Sequence, residues 1–339
     1  MTTNSGPPRR RRRPPALFAL VAAVALTTGL AACGPADRAA GGSGSMPSTQ
    51  ATSTAAVAAG PGAVPVGRSS QTLVSDGVSR MIHLYRPAGL TEPAPLVVML
   101  HGGYGSGTQA EQTYHWDAAA DAGHFLVALP DGSDRSWNAG GGCCGPAARS
   151  GVDDVAFLTR AVASLGHQIR LDPHRIFLSG VSNGGAMAYR MACETDLFAA
   201  VGVDSTTMLV DCAGATPASV LHIHGTDDPT IRYDGGPGKP YSPNSTPIDG
   251  PPVPAVNETW RGIDRCAAPA ITTRASVTTS TAACPAGRTV QLVTIAGAGH
   301  QWPGATPSRA AQLLGADTPS TALDATSTIW RFFAAHPSR

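Results

Sequence analysis

Short apolar runs recur along the chain from about residue 68 onward, with stretches of helical periodicity between them. Residues 95–100 and 125–129 are continuous and apolar, which predicts strands buried on both faces. Runs at 175–179, 199–203, 219–223 and 289–295 read as further strands. Residues 71–74 and 81–85 flank Ser75-Asp76-Gly77, a turn signal, and predict an antiparallel hairpin. Over 153–165, Val155, Leu158, Ala161, Val162 and Leu165 fall on one helical face. Residues 114–122, 186–192 and 321–335 are also predicted helices, the last with Leu323, Ile329, Phe332 and Phe333 available to pack. Strands that alternate with helices predict an α/β fold, with a mostly parallel central sheet covered by helices on both faces.

The N-terminal residues break this pattern. Arg9 to Arg13 are consecutive arginines, and an apolar run follows to Leu30. A charged segment before a short apolar one is an export signal, and the run is too short to span a bilayer. Leu30-Ala31-Ala32-Cys33 resembles the bacterial lipobox, which predicts cleavage before Cys33 and a lipid on its thiol. Residues 1–32 are therefore expected to be a lipoprotein signal peptide. Residues 33–67 are Gly, Ser, Thr, Ala and Pro with almost no large apolar groups, too little to fold on. They predict a tether, with 68–339 as the folded domain. The expected location is the cell surface or exterior, with the membrane reached through the lipid on Cys33.

Composition adds limits. With 339 residues and 42% hydrophobic content, the chain can bury a sizeable core. A net charge of +1 gives no footprint for nucleic acid. Glycine and proline make up about a fifth of the chain, above an average of roughly 12%, which points to long loops.

The candidate chemistry centres on Gly180-Val181-Ser182-Asn183-Gly184-Gly185, between the 175–179 strand and the 186–192 helix. A G-x-S-x-G at a strand-to-helix turn is a nucleophile-elbow pattern. Side chains at its glycines would clash in the sharp turn. In a sheet of this kind, sites form beyond the C-terminal strand ends. Asp228 follows the 219–223 strand, in His224-Gly225-Thr226-Asp227-Asp228-Pro229, and His300 follows the 289–295 strand. The order Ser182, Asp228, His300 is that of nucleophile, acid and histidine in α/β-hydrolases. A serine hydroxyl needs a base, here His300, and the base needs an orienting acid, here Asp228. The tetrahedral oxyanion needs two donors. The N–H of Asn183 is one candidate, and that of Gly103 or Tyr104, in the loop after residue 100, is the other. Asp227 competes with Asp228 for the acid role. His101 and His224 read as loop braces, His222 as a core histidine, and Asp153 and Asp154 as helix caps. The ten histidines show no metal-ligand spacing, so no metal and no cofactor are expected.

Four blocks together resemble the secreted polyhydroxybutyrate depolymerase/feruloyl esterase family, which includes esterase lipoproteins. They are Trp137-Asn138-Ala139-Gly140 with Cys143-Cys144-Gly145, residues 152–158, the elbow, and Gly299-His300-Gln301-Trp302-Pro303-Gly304. The resemblance runs from about Arg68 to the C-terminus. It implies an α/β-hydrolase fold, a serine carboxylesterase, and Ser182, Asp228 and His300 as the triad. It also implies a small-molecule or polymer ester as substrate: feruloyl, acetyl or short hydroxyacyl. A polyhydroxyalkanoate depolymerase or acyltransferase with the same triad is the alternative enzyme, and an inactive surface-binding module the alternative of another class.

Trp137 and Trp302 stand close to predicted strand ends, and aromatic surfaces there would suit an aromatic acyl group or sugar ring. Both are therefore candidate substrate-binding residues. If Cys33 carries lipid, six cysteines remain. Proximity favours Cys266–Cys284 and Cys193–Cys212, while Cys143 and Cys144, being adjacent, either bridge each other or stay unpaired. The Gly/Pro-rich stretch 234–256 reads as a long loop forming a pocket wall or lid.

Overall fold

The strands that sequence patterning marks as buried become the middle of a ten-stranded sheet. The computed structural model describes residues 63–240, 246–307 and 316–338, all within the unit Val57–Arg339. The expected signal peptide (1–32), most of the tether and Cys33 lie outside the described residues.

In chain order the strands are β1 (Gly67–Ser75), β2 (Val78–Arg86), β3 (Ala94–Leu100), β4 (Leu126–Pro130), β5 (Leu171–Val181), β6 (Ala200–Asp204), β7 (Ser219–Gly225), β8 (Gly236–Pro237), β9 (Asp249–Gly250), β10 (Ala270–Arg274), β11 (Val277–Ala283) and β12 (Thr289–Ile295). The helices are α1 (Gly107–Thr113), α2 (Trp116–Gly123), α3 (Gly145–Ser150), α4 (Asp154–Gly166), α5 (Asn183–Glu194), α6 (Val253–Ile263) and α7 (Ala325–Ala335). The sheet order is β1-β2-β4-β3-β5-β6-β7-β12-β11-β10. Strands β4, β3, β5, β6, β7 and β12 run parallel to their neighbours in this set. Antiparallel pairs, β1 with β2 and β10 with β11, finish the two edges. This is the expected α/β-hydrolase architecture.

The parallel core follows from composition. Every residue of β3, β4, β6 and β7 is buried, as strands covered on both faces require. Helices α4, α5 and α6 cover one face, with Phe157, Leu158 and Leu165 from α4, Met187 and Tyr189 from α5, and Trp260 from α6. Helices α1, α2 and α7 cover the other, with Ala110, Trp116, Ala120, Ile329 and Phe333. After β3 the chain moves outward to β4, then returns to lay β5 on the opposite side of β3. The C-terminal ends of β3 and β5 therefore flank a topological switch point, where α/β sheets open a crevice.

Several features differ from the sequence expectation. Val64 is buried, and its carbonyl accepts a hydrogen bond from Arg86 at 2.8 Å, so the folded chain begins before residue 68. The stretch 234–256 is not one irregular loop. It contains the short β8–β9 pair, and α6 begins within it at Val253. Asp153 caps α4 by accepting from the Ala156 N–H at 2.9 Å, whereas Asp154 is buried against Arg80 at 2.5 Å.

Among the described residues three disulfides are present: Cys143–Cys144, Cys193–Cys212 and Cys266–Cys284. The favoured pairs form, and the two adjacent cysteines bridge each other.

Candidate active site

The elbow is held by close backbone packing. Ser182 has φ 55° and ψ −124°, a conformation a non-glycine residue adopts only when its surroundings impose it. Here they do: the Ser182 N–H donates to the Asp204 carbonyl at 3.0 Å, and the Ser182 carbonyl accepts from Thr206 Oγ1 at 2.8 Å. A Cβ on Gly180 would strike the Gly184 carbonyl, and one on Gly184 would strike the carbonyls of Leu100 and His101. Glycine at both positions lets β5, α5 and the β3 end converge.

Ser182, Asp228 and His300 meet there. Ser182 Oγ lies 2.8 Å from His300 Nε2, and His300 Nδ1 lies 2.7 Å from Asp228 Oδ2. An ionised Asp228 can only accept, so Nδ1 carries the proton and Nε2 accepts from the serine hydroxyl. Asp228 is buried. Burial alone would raise its pKa, but His300 nearby and hydrogen bonds from His224 and His300 outweigh it and hold the carboxyl well below the usual carboxylate range. Its Oδ1 accepts from the backbone N–H groups of Thr230 and Ile231, both at 2.8 Å. Asp227, by contrast, is exposed and takes the Thr226 hydroxyl at 2.9 Å. Burial, with the charge of Asp228 adding to it, pushes Asp204 well above the usual carboxylate range.

The loop after β3 lies against the elbow. A Cβ on Gly102 would sit 3.5 Å from Ser182 Cβ, and one on Gly103 3.7 Å from Asn183 Cβ. Of the candidate donors, the Tyr104 N–H is already given to the Arg135 carbonyl at 2.8 Å. Among the described residues, the N–H groups of Gly103 and Asn183 have no such acceptor. His101 braces this loop. Its Nε2 accepts from the Gly132 N–H at 2.9 Å, so Nδ1 donates to the Gly102 carbonyl at 2.7 Å. Burial keeps it neutral, with a pKa pushed down to about 4.

The two tryptophans do not occupy the positions expected of a substrate platform. Trp137 is fully buried. Its N–H donates to Asn183 Oδ1 at 2.7 Å, its carbonyl accepts from Asn183 Nδ2 at 2.9 Å, and its indole N–H donates to the His101 carbonyl at 2.9 Å. It therefore ties the β3 loop to the elbow. Trp302 is 2% exposed, packs on Tyr114 and Trp116, and donates its indole N–H to Thr326 Oγ1 at 3.1 Å. Both rings are buried and each indole N–H finds an internal acceptor, so both are core residues. Among the described residues, the exposed aromatic of the loop after β3 is Tyr104, 45% accessible.

Sequence reasoning missed the supports of this site. Asp317 Oδ2 accepts the His300 N–H at 2.7 Å and fixes the histidine loop. Arg135 holds the carbonyls of Tyr104 and Gly105. Neither sits in a periodic element, and neither has a neighbour in sequence that signals its partner. The H-G-x-x-D arrangement did mark His224, but only as a brace.

Comparisons with known proteins agree with the fold and with an esterase. The family described as esterase PHB depolymerase matches residues 80–235. A putative esterase, NocK, from Nocardia uniformis subsp. tsuyamanensis is 31% identical over 288 residues, covering 76% of this chain and 81% of that protein. Feruloyl esterase B of Piromyces equi is 30% identical over 233 residues, covering 63% of this chain and 41% of the relative. The bifunctional acetylxylan esterase/xylanase XynS20E of Neocallimastix patriciarum is 27% identical over 161 residues, 46% of this chain and 22% of the relative. The chain thus spans less than half the length of these last two. Among solved structures, an acetyl xylan esterase from Aspergillus awamori superposes with a TM-score of 0.54 at 15% identity, over 79% of this chain and 99% of that one.

Proposed function

The chain belongs to the esterase PHB depolymerase family, and from that premise we propose that it is an exported serine esterase with Ser182 as nucleophile, His300 as base and Asp228 as acid. Ester hydrolysis comes with the family. The serine mechanism rests on one observation: the unbroken line from Ser182 Oγ to His300 Nε2 at 2.8 Å and from His300 Nδ1 to Asp228 Oδ2 at 2.7 Å.

The chemistry follows from that line. His300 Nε2 takes the Ser182 proton as Oγ attacks the acyl carbonyl. The resulting oxyanion is received by the N–H groups of Gly103 and Asn183, the latter at the start of α5, where the helix dipole also favours negative charge. His300 returns the proton to the departing alcohol oxygen, leaving an acyl-enzyme. Water then repeats the steps with the same base and frees the acid.

The proposed substrates are small or cell-wall-type esters with feruloyl, acetyl or short hydroxyacyl groups. Relatives named for feruloyl and acetylxylan esters support this class. Rates on p-nitrophenyl acetate, butyrate and palmitate and on methyl ferulate test it. The short and feruloyl esters are expected to show the higher kcat/KM, and a clear palmitate preference would point to a lipase instead.

Export and lipid attachment rest on the charged-then-apolar N-terminus and on Leu30-Ala31-Ala32-Cys33. The mature chain is expected to start at a lipidated Cys33 and to sediment with membranes, and Cys33→Ser should release it. An unmodified N-terminus elsewhere, found by mass spectrometry, ends the lipoprotein reading.

A further inference from the structure

Behind Asp228 a buried chain of hydrogen bonds continues into the core. His224 Nε2 lies 2.8 Å from the Ile231 carbonyl and 3.3 Å from Asp228 Oδ2. His224 Nδ1 lies 3.1 Å from His222 Nε2, and His222 Nδ1 lies 2.9 Å from the Tyr189 hydroxyl. All three side chains are inaccessible to solvent. They come from two elements: His222 and His224 from β7, on the same face because strand residues alternate, and Tyr189 from α5.

The direction of this chain is set at its Asp228 end. His224 Nε2 faces two acceptors, so it carries a proton. With one proton on the ring, Nδ1 must then accept, which requires His222 Nε2 to donate. Burial keeps His222 neutral, so its Nδ1 accepts in turn and Tyr189 donates its hydroxyl. Burial likewise holds the Tyr189 phenol in its protonated form. Every proton points toward Asp228. Reversing the chain would set a bare His224 nitrogen against a carbonyl and a carboxylate.

We infer that His224 is a positioning residue for Asp228, its donor direction fixed from behind by His222 and Tyr189. This inference rests on the assignment of Asp228 as the acid. Oδ1 is held by two backbone N–H groups, and Oδ2 is shared by His300 and His224. His224 therefore helps fix the rotation of the carboxylate and takes part of the charge that Oδ2 offers to His300.

The test compares His224→Leu, His224→Gln and Tyr189→Phe in the full-length protein, with p-nitrophenyl acetate as probe. His224→Leu is expected to lower kcat about 10- to 100-fold, the range for a lost bond to a charged group, with KM nearly unchanged. His224→Gln places an amide donor near the Nε2 position and should recover most of the loss. The downfield proton resonance of His300 Nδ1–H should move in His224→Leu. In Tyr189→Phe, which only deletes the donor farthest from Asp228, it should move in the same direction and by less. A near-normal kcat with an unmoved resonance in His224→Leu overturns the proposal. So does a glutamine variant no better than the leucine one when both melt as the wild type does. If neither His224 variant folds, an unmoved resonance in Tyr189→Phe overturns it. Fluorophosphonate labelling of the wild type separates the two readings: absence of label on Ser182 sinks the triad, and this proposal with it, whereas normal labelling leaves the His224 results to decide.

Discussion

Ser182→Ala is expected to melt like the wild type and to lose about a million-fold in kcat, the size seen when a triad nucleophile is removed. The strained backbone at Ser182, φ 55°, already accommodates a Cβ, so alanine adds no clash. The bonds that set the elbow run through backbone atoms, to the Asp204 carbonyl and from the Thr206 hydroxyl, and alanine keeps both. What disappears is Oγ, whose hydrogen bond goes to His300 Nε2. Initial rates on p-nitrophenyl acetate, beside a thermal melt, check both halves. Turnover within a hundredfold of wild type in a pure preparation would remove Ser182 from the mechanism.

Asp228→Asn should cost roughly 10⁴-fold in kcat, the loss that a reversed histidine tautomer causes in serine proteases. The surroundings dictate which way the amide must point. Oδ1 receives two backbone N–H groups, from Thr230 and Ile231, so the asparagine carbonyl oxygen must take that position. Its NH2 group then faces His300 Nδ1 and His224 Nε2. To pair with a donor, His300 Nδ1 must give up its proton, which moves it to Nε2, the atom that should receive the serine proton. Asp227→Asn, at an exposed position outside this network, should change kcat by no more than about twofold, as surface substitutions usually do. Measured kcat values for the two variants in parallel decide the assignment, and a reversed outcome would shift the acid by one residue.

Much of this site could be read in the sequence because its chemistry sits at strand ends, and strand ends follow from apolar runs. The runs before Ser182, Asp228 and His300 became β5, β7 and β12, each ending within a few residues of its candidate. The helix α6 was hidden in a Gly/Pro-rich stretch, although Val253, Val256, Asn257 and Trp260 recur at helical spacing and are buried. Strands β10 and β11 left little trace, because β10 is an exposed edge and β11, half-buried beside it, is rich in threonine and serine, so neither shows apolar alternation. The role of the tryptophans was misread for another reason. Position in sequence places Trp137 and Trp302 beside the site, but only the fold shows that their indole N–H groups turn inward, to His101 and Thr326. Long-range partners such as Asp317 and Arg135 have no sequence signature, because their bonds join segments whose proximity only the closed sheet creates.

The most direct test of the serine mechanism is covalent capture. A fluorophosphonate reacts with a serine whose proton is taken by a neighbouring base, and mass spectrometry of the digested protein locates the adduct. The account predicts one modified residue, Ser182, with loss of esterase activity in proportion to labelling and no label on Ser182→Ala. An active enzyme that takes no label, or takes it at another residue while Ser182 stays unmodified, would contradict it.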